Sequence, residues 1–469
     1  MGWSMAELHE LSAVALAAAY AARRLSPLEV ARAVIARMDR WEPEVCATWA
    51  RDADATLAMA RESEARWFVG QPRGALDGVP VTIKENIATR GQPLPLGSAA
   101  TVLVPATEDA PPAARLREAG AVFVAKTTMP DYGMLSSGLS SFHKLARNPW
   151  DVTKNPGGSS AGAGAAAAAG YGPLHLGTDI GGSIRQPAAW CGVVGFKPSG
   201  GRVPIKPPYI GRVAGPLTRT VHDAALAMAA LSEPDPRDAT SLPPQTISWI
   251  ELDRDVSRDR PKLGLWLDAG WGLPLDAEID AAVRAAARRF EAAGAIVNLL
   301  PPFTTHEMAA GIELFWRMRS WLDIAALPPK RQALVLPYIR EWAAGGAGFS
   351  ATQVFHGYTQ FGALRDAAVA ACQPFDFVLS PVAPVPAFAA EWAGPTNDPL
   401  RAMEHIAYTL PFNMSEQPAI SVPCGHTAHG LPIGLQIIGR RHDDLGVLRL
   451  ARTWELLRGA LRPWPEPSA

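Results

Sequence analysis

Cysteine is scarce in this chain: four in 469 residues, at Cys46, Cys191, Cys372 and Cys424, far apart and without a CxxC pair. That spacing excludes a zinc ribbon and a disulfide framework and predicts a reduced, cytoplasmic setting. The ten histidines form no HxH or HxxxH pair, so no metal is expected, nor any cofactor. Charge of one sign is missing too. Lysine and arginine number 44 against 45 acidic residues, a net charge of −1, which removes the electrostatic ground for nucleic acid or an anionic membrane as partner. No hydrophobic run is long enough to span a bilayer. The apolar stretch from Ala13 to Ala22 is too short. Glu7 and Glu10 precede it, and Arg23 and Arg24 follow, the reverse of a secretory signal; it reads as an amphipathic helix. No Gly-Lys-Ser/Thr follows a glycine cluster and no GxGxxG occurs, so a phosphate loop and a dinucleotide fingerprint are both excluded.

What the chain has is apolar mass. Hydrophobic residues make up 48% and charged residues 19%, the balance of a globular protein long enough to bury a site in a large interior. Residues 6–45 predict two helices joined at Leu25-Ser26-Pro27, with Ser26 as N-cap, Pro27 at the first helical position and Glu29 in the first turn. Asp77-Gly78-Val79-Pro80 is turn chemistry leading into a short buried strand, Val81-Thr82-Ile83-Lys84. A helix, a glycine and an apolar strand follow one another in 116–125 and again in 278–299, the grammar of an α/β fold. Residues 233–248 and 253–262 read as surface loops. The region 301–350 carries Phe315, Trp316, Trp321, Tyr338, Trp342 and Phe349, as either core or substrate lining. Ala161 to Ala169 reads as a closely packed internal helix.

The chemistry concentrates in Asn155–Arg202, NPGGSSAGAGAAAAAGYGPLHLGTDIGGSIRQPAAWCGVVGFKPSGGR. Two serines sit after glycine pairs, Ser159 after Gly157-Gly158 and Ser183 after Gly181-Gly182. Glycines there let a substrate approach backbone N–H groups, and N–H groups converging on a carbonyl oxygen form an oxyanion hole, each donor typically worth about 2.7–4 kcal/mol. Gly158-Ser159-Ser160-Ala161-Gly162 has the spacing of a nucleophile elbow, but loop residues precede it where that elbow needs an apolar strand. A glycine-rich packing loop is the plain alternative; two such clusters 24 residues apart weaken it.

These motifs resemble the amidase signature family. The resemblance rests on GVPVTIKENI (78–87), NPGGSSAG (155–162), GTDIGGSIRQPAAWCGVVGFKP (177–198) and GRVP (201–204). Weaker agreement runs through DPRDATS (235–241), FDFVLSPVAP (375–384), PAISVPCG and LPIGLQIIG (418–439). It implies a single large α/β domain over 1–469, a mixed twisted β-sheet covered by helices. Within it fall N-terminal helices (1–65), a catalytic core with the signature segment (66–220), a helical, aromatic-rich peripheral region (221–350) and the C-terminal part of the core (351–469). It also implies a Ser–Ser–Lys triad: Lys84 as base, Ser159 as bridging serine behind a cis Gly158–Ser159 peptide, Ser183 as nucleophile. The N–H groups of Ile180, Gly181, Gly182 and Ser183 would form the oxyanion hole.

The chemistry is coherent on its own terms. A free lysine titrates near 10.4, and burial disfavours its ammonium. A neutral Lys84 can take the proton of Ser159, which takes that of Ser183, a known variant of the serine triad. Asp179 and Arg185 flank the nucleophile and read as a structural ion pair. Ser160 reads as a backbone-bonding serine, Cys191 as a buried inert thiol, and Lys126 as structural. Met134, Leu135, Ser136, Phe142 and Tyr209 are the expected substrate lining, apolar enough for a neutral hydrophobic or aromatic amide: an anilide, carbamate or ester. The expected partners are that small molecule and water, with the chain a monomer or homodimer. Two alternatives stand beside this reading: the glutamine-hydrolysing subunit of a tRNA-dependent amidotransferase, and a non-catalytic binding protein on the same fold. The first needs a site for glutamine's charged ends, and the expected lining offers no clear arginine for its carboxylate, Arg212 being the one left open.

Overall fold

The computed structural model describes residues 8–467. Ala6 and Glu7, where the first predicted helix begins, lie outside them. From Ala13 the chain follows local sequence logic. The helix Ala13–Ala21 is capped by Ser12 and buries Ala13, Leu16, Ala19 and Tyr20. The helix Pro27–Val45 starts at Ser26, whose hydroxyl accepts from the Glu29 N–H while the Glu29 carboxylate accepts from the Ser26 N–H. This reciprocal pair satisfies two N–H groups that the first turn leaves free.

Eleven strands form one sheet. They are β1 (Thr48–Trp49), β2 (Pro80–Lys84), β3 (Val122–Thr127), β4 (Leu174–Asp179), β5 (Val194–Lys197), β6 (Val213–Thr218), β7 (Lys262–Leu265), β8 (Ile296–Leu299), β9 (Phe377–Pro381), β10 (Ala419–His426) and β11 (Pro432–Gly439). Their order across the sheet is β1-β3-β2-β4-β6-β5-β10-β11-β9-β7-β8. Two parallel groups, β3-β2-β4 and β9-β7-β8, stand toward the edges. An antiparallel centre of β6, β5, β10 and β11 joins them. Helices cover both faces, so β2, β4, β5, β6, β9 and β11 are buried along their full length, as parallel and central strands must be. One apolar cluster runs from Val81 and Ile83 through Leu176 and Phe196 to Leu263, Leu379, Leu435 and Trp454. A core that crosses the whole sheet makes this a single α/β domain with a mixed sheet.

The all-buried helix Ala161–Ala169 is present, with no polar face. One expected loop is corrected: 253–262 holds the short helix Val256–Asp259, and Lys262 already begins β7. The Pro- and Asp-rich composition hid a single turn that four residues are enough to make. The absence of a metal motif was read from spacing along the chain. In space, the ligand atoms of His9, Glu10 and Glu466 lie within 4.8 Å of one another, and Arg37 donates to the Glu466 carboxylate. Among the described residues, no helix is long and apolar enough to cross a membrane.

Candidate active site

Lys84 ends β2, where alternation aims its side chain between the helix Ala161–Ala169 and β4. It is fully buried. Its Nζ lies 2.8 Å from Ser159 Oγ, 3.0 Å from Ser160 Oγ and 3.0 Å from Thr178 Oγ1. Burial first, then the charge of Arg212, holds its pKa well below the ordinary lysine value, against an opposing pull from Asp179 and Glu85. Glu85 is no ion-pair partner for it, because the Glu85 carboxylate is 2.6 Å from His143 Nε2.

The hydroxyls around Lys84 are not equivalent. Ser160 Oγ donates to the Thr178 carbonyl at 3.1 Å, so toward Lys84 it can only accept. Thr178 Oγ1 also accepts from Asn86 Nδ2 at 3.1 Å. A neutral amine in this place could give its two N–H groups to these two acceptors and turn its lone pair to the Ser159 hydroxyl. Thr178 was not foreseen in the sequence: one threonine at a strand end carries no signal until β4 lies beside β2.

Ser159 and Ser183 come from loops that glycine makes possible. The Gly158–Ser159 peptide is cis. A Cβ on Gly158 would sit 2.4 Å from the Ser137 nitrogen, and Gly182 has φ +125° with a would-be Cβ 2.5 Å from Thr409 Oγ1. No other residue fits either place. The Ser160 N–H donates to the Ser183 carbonyl at 3.2 Å, tying the two loops together.

Asp179 and Arg185 form the predicted ion pair, fully buried. Burial disfavours the Asp179 carboxylate, but the Arg185 guanidinium beside it holds its pKa below the usual range. Asp179 accepts from the N–H groups of Gly182 (2.8 Å) and Ile184 (3.0 Å), which shapes the turn carrying Ser183. The four N–H groups of the expected oxyanion hole are therefore not equivalent. The Gly182 N–H is committed to Asp179, whereas those of Ile180, Gly181 and Ser183 have no partner among the described residues.

Ser183 opens into a cleft of about 780 Å³, mouth included, to which Tyr132, Met134, Leu135, Ser136, Ile180, Trp316, Tyr338, Met403 and Ile406 contribute. Met134, Leu135 and Ser136, expected as substrate lining, share this cleft with Ser183. Phe142 does not: it packs edge-on against Trp49 and His143, lining a different hollow. Beyond Ser140 the loop turns away, because Ser140 Oγ captures the N–H groups of Phe142 and His143. Tyr209 lies behind the lining, its ring 4.4 Å from the guanidinium of Arg319, which does line the cleft. The 301–350 aromatics divide. Trp316 and Tyr338 face the cleft, while Phe315 packs on Tyr358 and Phe361 and Trp342 is 3% exposed in the core beneath. Residues 393–406 close the far wall and gave no sequence signal. Lys126, on β3, donates to the Ile87 carbonyl and Thr89 Oγ1, away from both serines. The Cys191 thiol is buried, and burial pushes its pKa up.

Comparison with known proteins agrees with this geometry. The amidase family profile matches residues 29–448. The chain is 36% identical to a glutamyl-tRNA(Gln) amidotransferase subunit of Myxococcus xanthus, over 96% of this chain and 97% of the relative. It is 34% identical to an acylamidase of Rhodococcus erythropolis, over 98% and 97%. Among solved structures, a bacterial aryl acylamidase of the amidase signature family superposes with a TM-score of 0.87 at 29% identity, covering 96% of each chain. With the profile spanning most of its length and relatives above 30% identity along nearly all of it, the chain belongs to the amidase signature family and is an enzyme that hydrolyses carbon–nitrogen amide bonds.

Proposed function

We propose that the chain cleaves the C–N acyl bond of a small, largely apolar amide through an acyl-enzyme on Ser183, alone and in the cytoplasm, with no tRNA and no partner protein. The observation that carries this is the buried Lys84 amine, 2.8 Å from Ser159 Oγ and 3.0 Å from both Ser160 Oγ and Thr178 Oγ1; once neutral, it can turn its lone pair to Ser159. Ser183 attacks the carbonyl carbon and passes its proton to Ser159, which passes its own to Lys84. The N–H groups of Ile180, Gly181 and Ser183 receive the oxyanion. Collapse breaks the C–N bond, and the amine leaves with the proton returned from Lys84 through Ser159. Water then attacks the acyl-enzyme by the same relay and restores the Ser183 hydroxyl.

Trp316, Tyr338, Met134 and Ile406 suit an aromatic or aliphatic body, so anilides are the favoured substrates, with carbamates and esters following because they share the acyl-enzyme. The amidotransferase reading draws on the 36% identity to the Myxococcus xanthus protein. Against it, the described cleft residues include no carboxylate for glutamine's ammonium, and desolvating an unpaired ammonium is costly. A binding-only role leaves the retained Lys84, Ser159 and Ser183 without purpose.

The test combines a substrate panel with covalent trapping. Purified chain is given glutamine, anilides, carbamates and esters, and released amine or alcohol is quantified; a fluorophosphonate adduct is located by peptide mass spectrometry. Anilide turnover without added proteins and a single adduct on Ser183 are expected. An adduct on Ser160, or turnover of glutamine that appears only with other proteins present, overturns the proposal.

A further inference from the structure

The cleft is apolar except at one end. There Arg319, from the helix His306–Ala325, contributes the single charged side chain among the described lining residues. The other titratable groups of the lining are Tyr132, Tyr338 and His405, the last kept neutral by burial. The Arg319 guanidinium lies over Tyr209 and makes no hydrogen bond to another described residue. Its nearest acid, Asp323, is 3.8 Å away with both side chains largely exposed, an arrangement worth little.

Arg212 stands close enough for the two charges to repel. Burial, then Arg319, lowers its pKa to about 10. It donates to the Pro207 carbonyl at 3.3 Å, and no carboxylate among the described residues forms an ion pair with it. Arg185 and Arg202, by contrast, each meet a carboxylate: Asp179 and Asp444. Arg212, partnered by a backbone carbonyl, and Arg319, whose acid Asp323 is a weak solvent-exposed partner, leave positive charge beside the cleft for an incoming anion to meet.

Building on the amidase activity proposed above, we infer that the preferred substrate is an amide bearing one carboxylate, received by Arg319 with Arg212 behind it, its apolar body lying along Trp316 and Tyr338. This replaces the neutral substrate expected from the sequence. It also separates the substrate from glutamine, whose ammonium finds no acid in the cleft.

Two matched pairs test the inference, since the carboxylate can sit on either side of the scissile bond. Succinyl 4-nitroanilide is compared with butyryl 4-nitroanilide, and 4-acetamidobenzoate with acetanilide. In at least one pair the carboxylate member should have the higher kcat/KM, by about tenfold or more. Arg319→Gln should bring that ratio to near one, Arg319→Lys should keep part of it, and Arg212→Gln should reduce it. Independently of turnover, calorimetry should detect benzoate binding to the parent, weakened about tenfold or more in Arg319→Gln. Neutral members favoured in both pairs, or a preference that Arg319→Gln leaves intact, overturns the inference while the amidase reading stands. If neither pair is hydrolysed, the amidase reading falls, and the calorimetry decides the anion site alone: binding lost in Arg319→Gln supports it, and no binding overturns it.

Discussion

Lys84 meets three hydroxyls and no carboxylate. An ammonium there would have lost its water without gaining an ion pair, which is why burial lowers the Lys84 pKa and favours the neutral amine. Only the neutral form accepts a proton, so kcat/KM for an anilide should rise with pH through the lowered pKa of Lys84 and then level, below the range of about 10.4 where free lysine titrates. Lys84→Ala should cut amide turnover at least about a thousandfold, roughly 4 kcal/mol of barrier. Lys84→Arg should do no better, because arginine stays charged. If Lys84 acts only by shape or charge, arginine rescues; turnover by Lys84→Arg within about tenfold of the parent sinks the base role. Adding Ser159→Ala to Lys84→Ala should cost little more, since groups acting as one unit are non-additive.

The helix Ala161–Ala169 works as an element because it is small on every side. It is buried throughout, and Gly162 presses against the strand end and loop that hold Thr128 and Ala47: an added Cβ would lie 2.1 Å from the Ala47 carbonyl oxygen and 2.5 Å from the Thr128 nitrogen. Both atoms are backbone and cannot swing aside. Gly162→Ala should therefore displace the helix start, which carries Ser159 and Ser160, lowering the unfolding midpoint and amide turnover together, with a stability cost of about 1–3 kcal/mol. Gly362, mid-helix on the exposed side of Ala351–Cys372, has nothing within 4 Å of its would-be Cβ. Gly362→Ala should be neutral or stabilise by up to about 1 kcal/mol, leaving turnover unchanged. Thermal unfolding and anilide assays on both variants read the contrast; equal behaviour discards close packing as the reason for the alanine-glycine composition.

Across the whole molecule, the Ser183 loop is held by distant chain. Arg185 donates to the Thr409 carbonyl, 224 positions away, to Gln436 and to Asn413, while Asn413 donates back to Asp179. One buried guanidinium thus joins β4, the segment 409–413 and β11. Arg185→Met would strand the Asp179 carboxylate without its partner, and breaking such a pair typically costs about 3–5 kcal/mol. Denaturant titration should show that loss. A variant within about 1 kcal/mol of the parent would mean that the hydrogen bonds from Gly182, Ile184 and Asn413 suffice for Asp179.

The sequence by itself determined the family, the proposed reaction centre and the local elements. Glycine-cradled serines, a lysine closing an apolar strand and a capped helix at Ser26 are short-range facts, fixed by backbone freedom and periodicity, and the family motifs named the same residues. Tertiary structure decided what depends on distant segments meeting. Thr178 reaches Lys84 only because β4 pairs beside β2. The Asp179 carboxylate that takes the Gly182 N–H is itself held by Asn413, 234 positions away. Phe142 stands outside the cleft with its ring against Trp49 of β1. Residues 393–406 enter the cleft, and Arg319 and Arg212 come together, through packing that no local pattern encodes, so the charge of the substrate site became legible only in three dimensions.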